Sequence, residues 1–165
     1  MFKTVFTDRQ IAEAKEFAED YKANHAAEKD SNTKDPENWM ENKVASHLSE
    51  QAFIRAATSA GRTVNWHSFK EEGQPAFDVL VGETKVDVKC STNEPNKCNL
   101  IPGRRMLKDG REVDAFALVR IHGDFQRATV FGVVTVEQFK EESHDFFPLD
   151  ELRMMNDELN PVEQL

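Results

Sequence analysis

Cysteine is scarce in this chain of 165 residues: only Cys90 and Cys98 occur. A disulfide is possible on count alone, but the cytoplasmic setting expected for this chain argues against it, and with no CxxC and no histidine nearby the two make a poor zinc site. They are read as ordinary buried or loop thiols. Long apolar runs are missing as well; none approaches the roughly 20 residues needed to span a bilayer. The first ten residues, MFKTVFTDRQ, hold no apolar stretch long enough for a secretory signal, so the expected location is cytoplasmic. There is no internal repeat, low-complexity tract or Gly-rich phosphate-cradling loop. Positive charge is also in deficit. Lys and Arg number 21 against 30 Asp and Glu, a net charge of −9. That balance counts against a nucleic-acid partner unless one face is locally basic. Residues 84–111 supply such a region, with seven Lys/Arg against three Asp/Glu. Residues 136–165 carry two against nine, an acidic tail that dominates the total.

What is present suits one globular domain over residues 1–165, with 39% hydrophobic and 31% charged residues. Residues 8–29 read as a helix, with Ile11, Ala14, Ala18 and Tyr21 at helical spacing and Phe17–Tyr21 as an i,i+4 pair. Asp35-Pro36-Glu37 combines an Asp cap, Pro at the first helical position and an acid in the first turn. The second helix is expected to run from there to about Ser59, with Gly61 just past its end. Strands are expected at Thr63–Phe69, Ala76–Val81, Thr84–Cys90, Val113–Ile121 and Ala128–Thr135. Thr135-Val-Glu-Gln138 resembles a capping box opening a short helix at 136–142. The tail from about 143 to 165 reads as irregular or weakly helical. The predicted fold class is α/β (α+β), a central mixed sheet flanked by helices.

The most informative stretch is FDVLVGETKVDVKC, residues 77–90. A two-residue connection that begins with Gly, here Gly82-Glu83, fits a type II′ hairpin. Val81 then pairs with Thr84, Leu80 with Lys85, Val79 with Val86, and Asp78 with Asp87. Period-2 alternation puts Lys89 on the face of the two aspartates, and Val86, Val88 and Cys90 on an apolar face toward the core. Like charges directly opposite are destabilising. Two opposed aspartates beside a lysine therefore suggest a site for a cation, and hard oxygen ligands suit Mg²⁺ or Mn²⁺. A solvated polar face neutralised by Lys89 is the plainer alternative. Register is what the geometry depends on, since a one-residue slip would separate the pair.

The preceding helix offers a third carboxylate. Glu41, Ala45, Leu48 and Ala52 share one stripe, so Glu41 is an acid on an apolar, inward-facing line. Glu50 projects roughly opposite, toward solvent. Glu37 lies near the same stripe, where the helix dipole alone accounts for it.

The pattern Asp78, eight residues, Asp87-Val88-Lys89, after a helix that carries Glu41, resembles the PD-(D/E)XK nuclease superfamily over residues 36–140. The proline that names the motif is displaced: Phe77 precedes Asp78 and Pro75 lies earlier. The resemblance implies a restriction-endonuclease-like core and Mg²⁺-dependent hydrolysis of DNA, with Mn²⁺ as a substitute. It implies that Asp78, Asp87, Glu41 and the backbone carbonyl of Val88 hold metal, and that Lys89 assists. Arg104, Arg105, Lys108 and Arg111 form a basic loop beyond the active strand that either meets phosphate or is simply solvated, and Ser91 is either a further substrate contact or a cap of the strand end. A homodimer acting on two strands is compatible with so small a chain. No organic cofactor and no membrane association are expected. His67 and His122 have no partner pattern, and the twelve Phe fall within periodic segments as core. The main alternative is a catalytically inactive module on the same fold that binds DNA or a protein. A small-substrate phosphatase lacks any phosphate cradle to support it.

Overall fold

The structure is a computed structural model, and it describes residues 1–24, 38–66, 77–94, 99–100, 113–141 and 147–148. It is a mixed α/β fold: a six-stranded mixed sheet with helices packed on it. The chain opens with β1 (Phe2–Val5) and α1 (Asp8–Asn24). Next come α2 (Trp39–Ser59), β2 (Val64–Trp66), β3 (Val79–Val81) and β4 (Thr84–Ser91). After β5 (Asn99–Leu100) follow β6 (Ala115–Ile121), β7 (Arg127–Thr135) and α3 (Val136–Glu141). β8 (Phe147–Pro148) pairs with β5 in a separate two-stranded ladder. The main sheet runs β1-β7-β6-β4-β3-β2, and only the central β4–β6 pair is parallel.

Local chemistry sets the helix ends. Before α1, the Thr7 amide donates to Gln10 Oε1 (3.0 Å) and the Gln10 amide to Thr7 Oγ1 (3.3 Å), a reciprocal cap. The same exchange between Thr135 and Gln138 opens α3, as the capping-box reading expected. α2 ends in a Schellman turn. The Gly61 amide donates to the Thr58 carbonyl and the Arg62 amide to that of Ala57, while Gly61 takes φ +72°. The expected helix start at Asp35-Pro36-Glu37 and the stretch to residue 29 lie outside the described residues, as does most of the acidic tail.

α2 is the hub of the first core. Ala45, Leu48, Ala52, Phe53 and Ala56 are at most 1% exposed. They join Ile11, Ala14 and Ala18 of α1 with Val79, Val86, Val88, Ala117 and Val119 of the sheet. The alanines keep the helix close to its neighbours on several sides at once. The opposite sheet face carries a second cluster, in which Phe116, Leu118, Phe131 and Val134 pack with Phe139 of α3. β6 is therefore apolar on both faces, as a central strand must be. A bulge between Leu118 and Val119 shifts its register with β7. At the sheet edge, Arg55 of α2 donates to Thr4 Oγ1 (2.9 Å) and the Val5 carbonyl (2.6 Å) and lies over the Phe6 ring, which ties β1 to the helix.

Among the described residues no helix is long and apolar enough to cross a membrane. Phe53 is fully buried beside the sheet. Phe53→Ala is expected to lower the unfolding free energy by about 3–5 kcal/mol, measured by urea denaturation. A loss below about 1 kcal/mol, the scale of a surface change, would contradict this packing.

Candidate active site

The β3–β4 hairpin has the register read from the sequence: Val81↔Thr84, Leu80↔Lys85 and Val79↔Val86. Gly82 takes φ +59° and Glu83 is not among the residues with positive φ, as a type II′ turn requires. The regular ladder stops at Val79. The Asp78 amide donates to the Val86 carbonyl (3.0 Å), and Asp78 Oδ2 accepts from the Val88 amide (2.8 Å). A side-chain carboxylate thus takes the place that the strand backbone would fill. Among the described residues, the second half of β4 keeps β6 as its only strand neighbour. A cleft of about 260 Å³ opens along this vacated edge, against α1 and α2.

Asp78 and Asp87 are 5% and 3% exposed and line the cleft together. Asp78 stands just beyond the ladder rather than in register with Asp87, near enough for its carboxyl to act on that of Asp87. Lys89 Nζ stands 2.8 Å from Asp87 Oδ2, its side chain 29% exposed. The approach lies outside hydrogen-bonding geometry, so Asp87 Oδ2 is buried with an ion-pair neighbour and no hydrogen-bond partner. Burial pushes the Asp87 carboxyl up to about 6; Lys89 opposes the rise and Asp78 adds to it. Val86 and Val88 face the core, and Cys90 packs at its margin.

α2 brings Lys43, Ser46, His47 and Glu50 to the cleft, and α1 brings Phe17 and Tyr21. Glu41 is not among the lining residues; it is exposed in the first turn of α2. The line Ala45–Leu48–Ala52 is buried as expected, but the burial starts at Val44, just after Glu41. Glu50, expected to meet solvent, lines the cleft instead and accepts a 2.7 Å hydrogen bond from Trp66 Nε1. The reason is that α2 is enclosed on more than one side. The face opposite its apolar line meets the hairpin edge rather than water.

His47 drew no attention in the sequence. It is 9% exposed, stacked on Phe17 at 4.2 Å between centroids and tilted against Trp66 at 5.0 Å. Burial pulls its imidazole down to about 4, so it is neutral at neutral pH. With the Gln51 amide oriented as it is, Gln51 Nε2 donates to His47 Nε2 (3.0 Å), which puts the proton on Nδ1. Nδ1 is buried with no hydrogen-bond partner. The available signal was its i,i+3 spacing with Glu50 and i,i+4 spacing with Lys43.

The other candidates divide. Val88 lines the cleft. Ser91 does not; its Oγ accepts from the Asn93 amide (3.3 Å), the strand-end alternative. His122 lies 3.3 Å from Thr129 Oγ1 and lines a separate concavity. Arg104, Arg105, Lys108, Arg111, His67 and Cys98 lie outside the described residues.

Among the described residues no three His, Cys, Asp or Glu side chains are grouped as a metal cage. Two buried carboxylates fit a more open arrangement, since Mg²⁺ is commonly held by one or two carboxylates with waters and phosphate oxygens completing the octahedron. Asp87 Oδ2, buried and met by the Lys89 ammonium without a hydrogen bond, fits such an ion as a further partner.

No protein-family model, curated protein or solved structure matches the chain.

A carboxyl with a higher pKa folded than unfolded holds its proton preferentially in the folded state. Its contribution to stability is therefore greatest below about pH 4 and fades as pH rises through about 6. Asp87→Asn removes this dependence. In metal-free buffer the variant is expected to gain on wild type between about pH 4 and pH 7, by up to about 2–3 kcal/mol. Paired urea titrations across that interval measure the difference. A variant that falls behind wild type as pH rises would show that the Lys89 ion pair outweighs the cost of burying the charge.

Proposed function

We propose that this chain is a metal-dependent nuclease of the PD-(D/E)XK type that hydrolyses DNA phosphodiester bonds. The observation that carries the reading is the buried pair Asp78 and Asp87 on the wall of a cleft, with Lys89 Nζ 2.8 Å from Asp87 Oδ2. The six-stranded mixed sheet and the helix laid across it are compatible with a restriction-endonuclease-like core.

On this reading Asp78, Asp87 and the Val88 carbonyl hold Mg²⁺, for which Mn²⁺ would substitute. Glu50 rather than Glu41 is the helical glutamate, oriented by Trp66. The bound ion would lower the pKa of a water and neutralise phosphate charge. The residues themselves do the rest. Asp78, fixed by the Val88 amide, holds the hairpin end in one geometry. Lys89 keeps an ammonium next to the carboxylate pair, where it orients the attacking water and stabilises charge that develops on phosphorus.

The test is a cleavage panel of DNA and RNA forms with Mg²⁺ and Mn²⁺. DNA cleavage is expected with either metal and none with EDTA. Asp87→Ala and Lys89→Ala should each reduce the rate by roughly 10²–10³-fold, with the far-ultraviolet spectrum and melting transition retained. Glu50→Gln should reduce it by roughly 10–100-fold, and Glu41→Gln should leave it unchanged. DNA binding without cleavage under any metal would favour the inactive binding module.

A further inference from the structure

Five aromatic rings run in unbroken contact; Tyr21, Phe17 and His47 line the cleft, and Trp39 and Trp66 extend the run beyond it at either end. Trp39 meets Tyr21 at 6.2 Å and Tyr21 meets Phe17 at 6.3 Å. Phe17 stacks on His47, and His47 meets Trp66. Helix spacing explains the run: Phe17 and Tyr21 are one turn apart on α1, and His47 is two turns beyond Trp39–Met40 on α2. His47 is the sealed middle of the series. Trp66 is its open end, 38% exposed on the edge strand β2. The indole is tied to two residues of the cleft lining, by its bond to Glu50 and by its contact with the His47 imidazole, so its exposed surface lies next to the cleft. Toward the other end, the Lys43 ammonium lies 4.3 Å from the Tyr21 ring centre and 5.7 Å from that of Trp39. It is a cation aimed along the same wall.

We infer that the cleft takes a single-stranded DNA segment, with an unpaired base stacked on Trp66 and a neighbouring phosphate met by Lys43. The inference rests on the proposed nuclease reading and names its substrate class. Three features favour an unpaired strand over a duplex. Bases inside a duplex have both faces covered, so an exposed indole finds no partner there, whereas every unpaired base offers a π-face. The lining contributes Lys43 and Lys89 against Glu50, Asp78 and Asp87, too few cations to follow two phosphate backbones. A volume of about 260 Å³ is small even for an organic-ligand pocket and suits the width of one strand.

The experiment is fluorescence anisotropy of a labelled oligothymidylate and of a mixed-sequence duplex of equal length, with Ca²⁺ replacing Mg²⁺ to prevent cutting. Wild type is expected to bind the single strand at least tenfold more tightly than the duplex. Trp66→Leu should weaken single-strand binding by roughly tenfold, and Trp66→Phe, which keeps a ring but not the bond to Glu50, should restore most of it. Lys43→Gln should weaken binding and flatten its salt dependence. Matched melting transitions separate these effects from unfolding. Equal affinity for both DNA forms, or a Trp66→Leu variant that binds as wild type does, would overturn the inference while Mg²⁺-dependent duplex cleavage left the nuclease reading standing. No binding to either form would overturn the inference, and absence of cleavage in the parallel metal panel would overturn the nuclease reading. Trp66-dependent strand binding without cleavage would support the strand site and remove only the catalysis.

Discussion

The hydrogen bond from the Val88 amide to Asp78 Oδ2 is the interaction on which the rest of the site depends. In an ordinary antiparallel pair that amide would look for a strand carbonyl. Here a carboxylate takes it, so β3 leaves the ladder at Val79 while β4 continues along β6. One bond therefore does two things. It ends the hairpin without leaving a buried donor unmatched, and it presses Asp78 against Asp87 at the edge where the cleft begins. A charge-assisted bond of this kind is worth about 1.5–3 kcal/mol, enough to offset part of the cost of bringing two carboxyl groups together out of water.

The remaining cost is visible in Asp87. Its carboxyl is buried, in contact with a like group, and joined to Lys89 by an ion pair whose direction leaves Oδ2 without a hydrogen bond. Burial dominates its elevated pKa. A hydrophobic side chain there would suit the fold better, because Val86 and Val88 on the other face already anchor β4. The fold tolerates the pair because α2 is over-secured. Its alanines pack against α1 and the sheet, a Schellman turn closes it, and Arg55 fastens the far edge strand to it. Stability held in the helix offsets the cost of burying two carboxyl groups in the hairpin.

The sequence disclosed what local rules govern. Gly82-Glu83 fixed a turn, the turn fixed a register, and period-2 alternation placed Asp78, Asp87 and Lys89 together. Caps at Thr135 and Gly61 were legible for the same reason, since each involves residues within one turn of helix. What failed was the environment of α2. Helical spacing says that Glu41 and Glu50 point apart, and it is right; it cannot say which direction is solvent. That depends on where α1 and the hairpin edge lie, and both are set by contacts far apart in the chain. β1 was invisible for a related reason. Four residues with alternating partial burial carry little signal, and their partner strand begins at Arg127. His47 was passed over because its neighbours in space, Phe17 and Trp66, come from other elements.

The net charge of −9 raises a physical question about any DNA reading. Affinity gained by releasing counterions scales with the number of phosphates contacted, and the described cleft offers few cations for that purpose. A site of this kind would have to draw affinity from terms that do not depend on net charge. Stacking is one, since it acts through faces rather than charges and survives in salt. A divalent ion is another, because it reverses the sign of the field that Asp78 and Asp87 create where phosphate must approach. Without the ion, the carboxylates repel a nucleic acid from the floor of the cleft while the aromatic rim remains open to it. Stacking and ion binding are thus the two terms that an acidic chain of this geometry has available for meeting a polyanion.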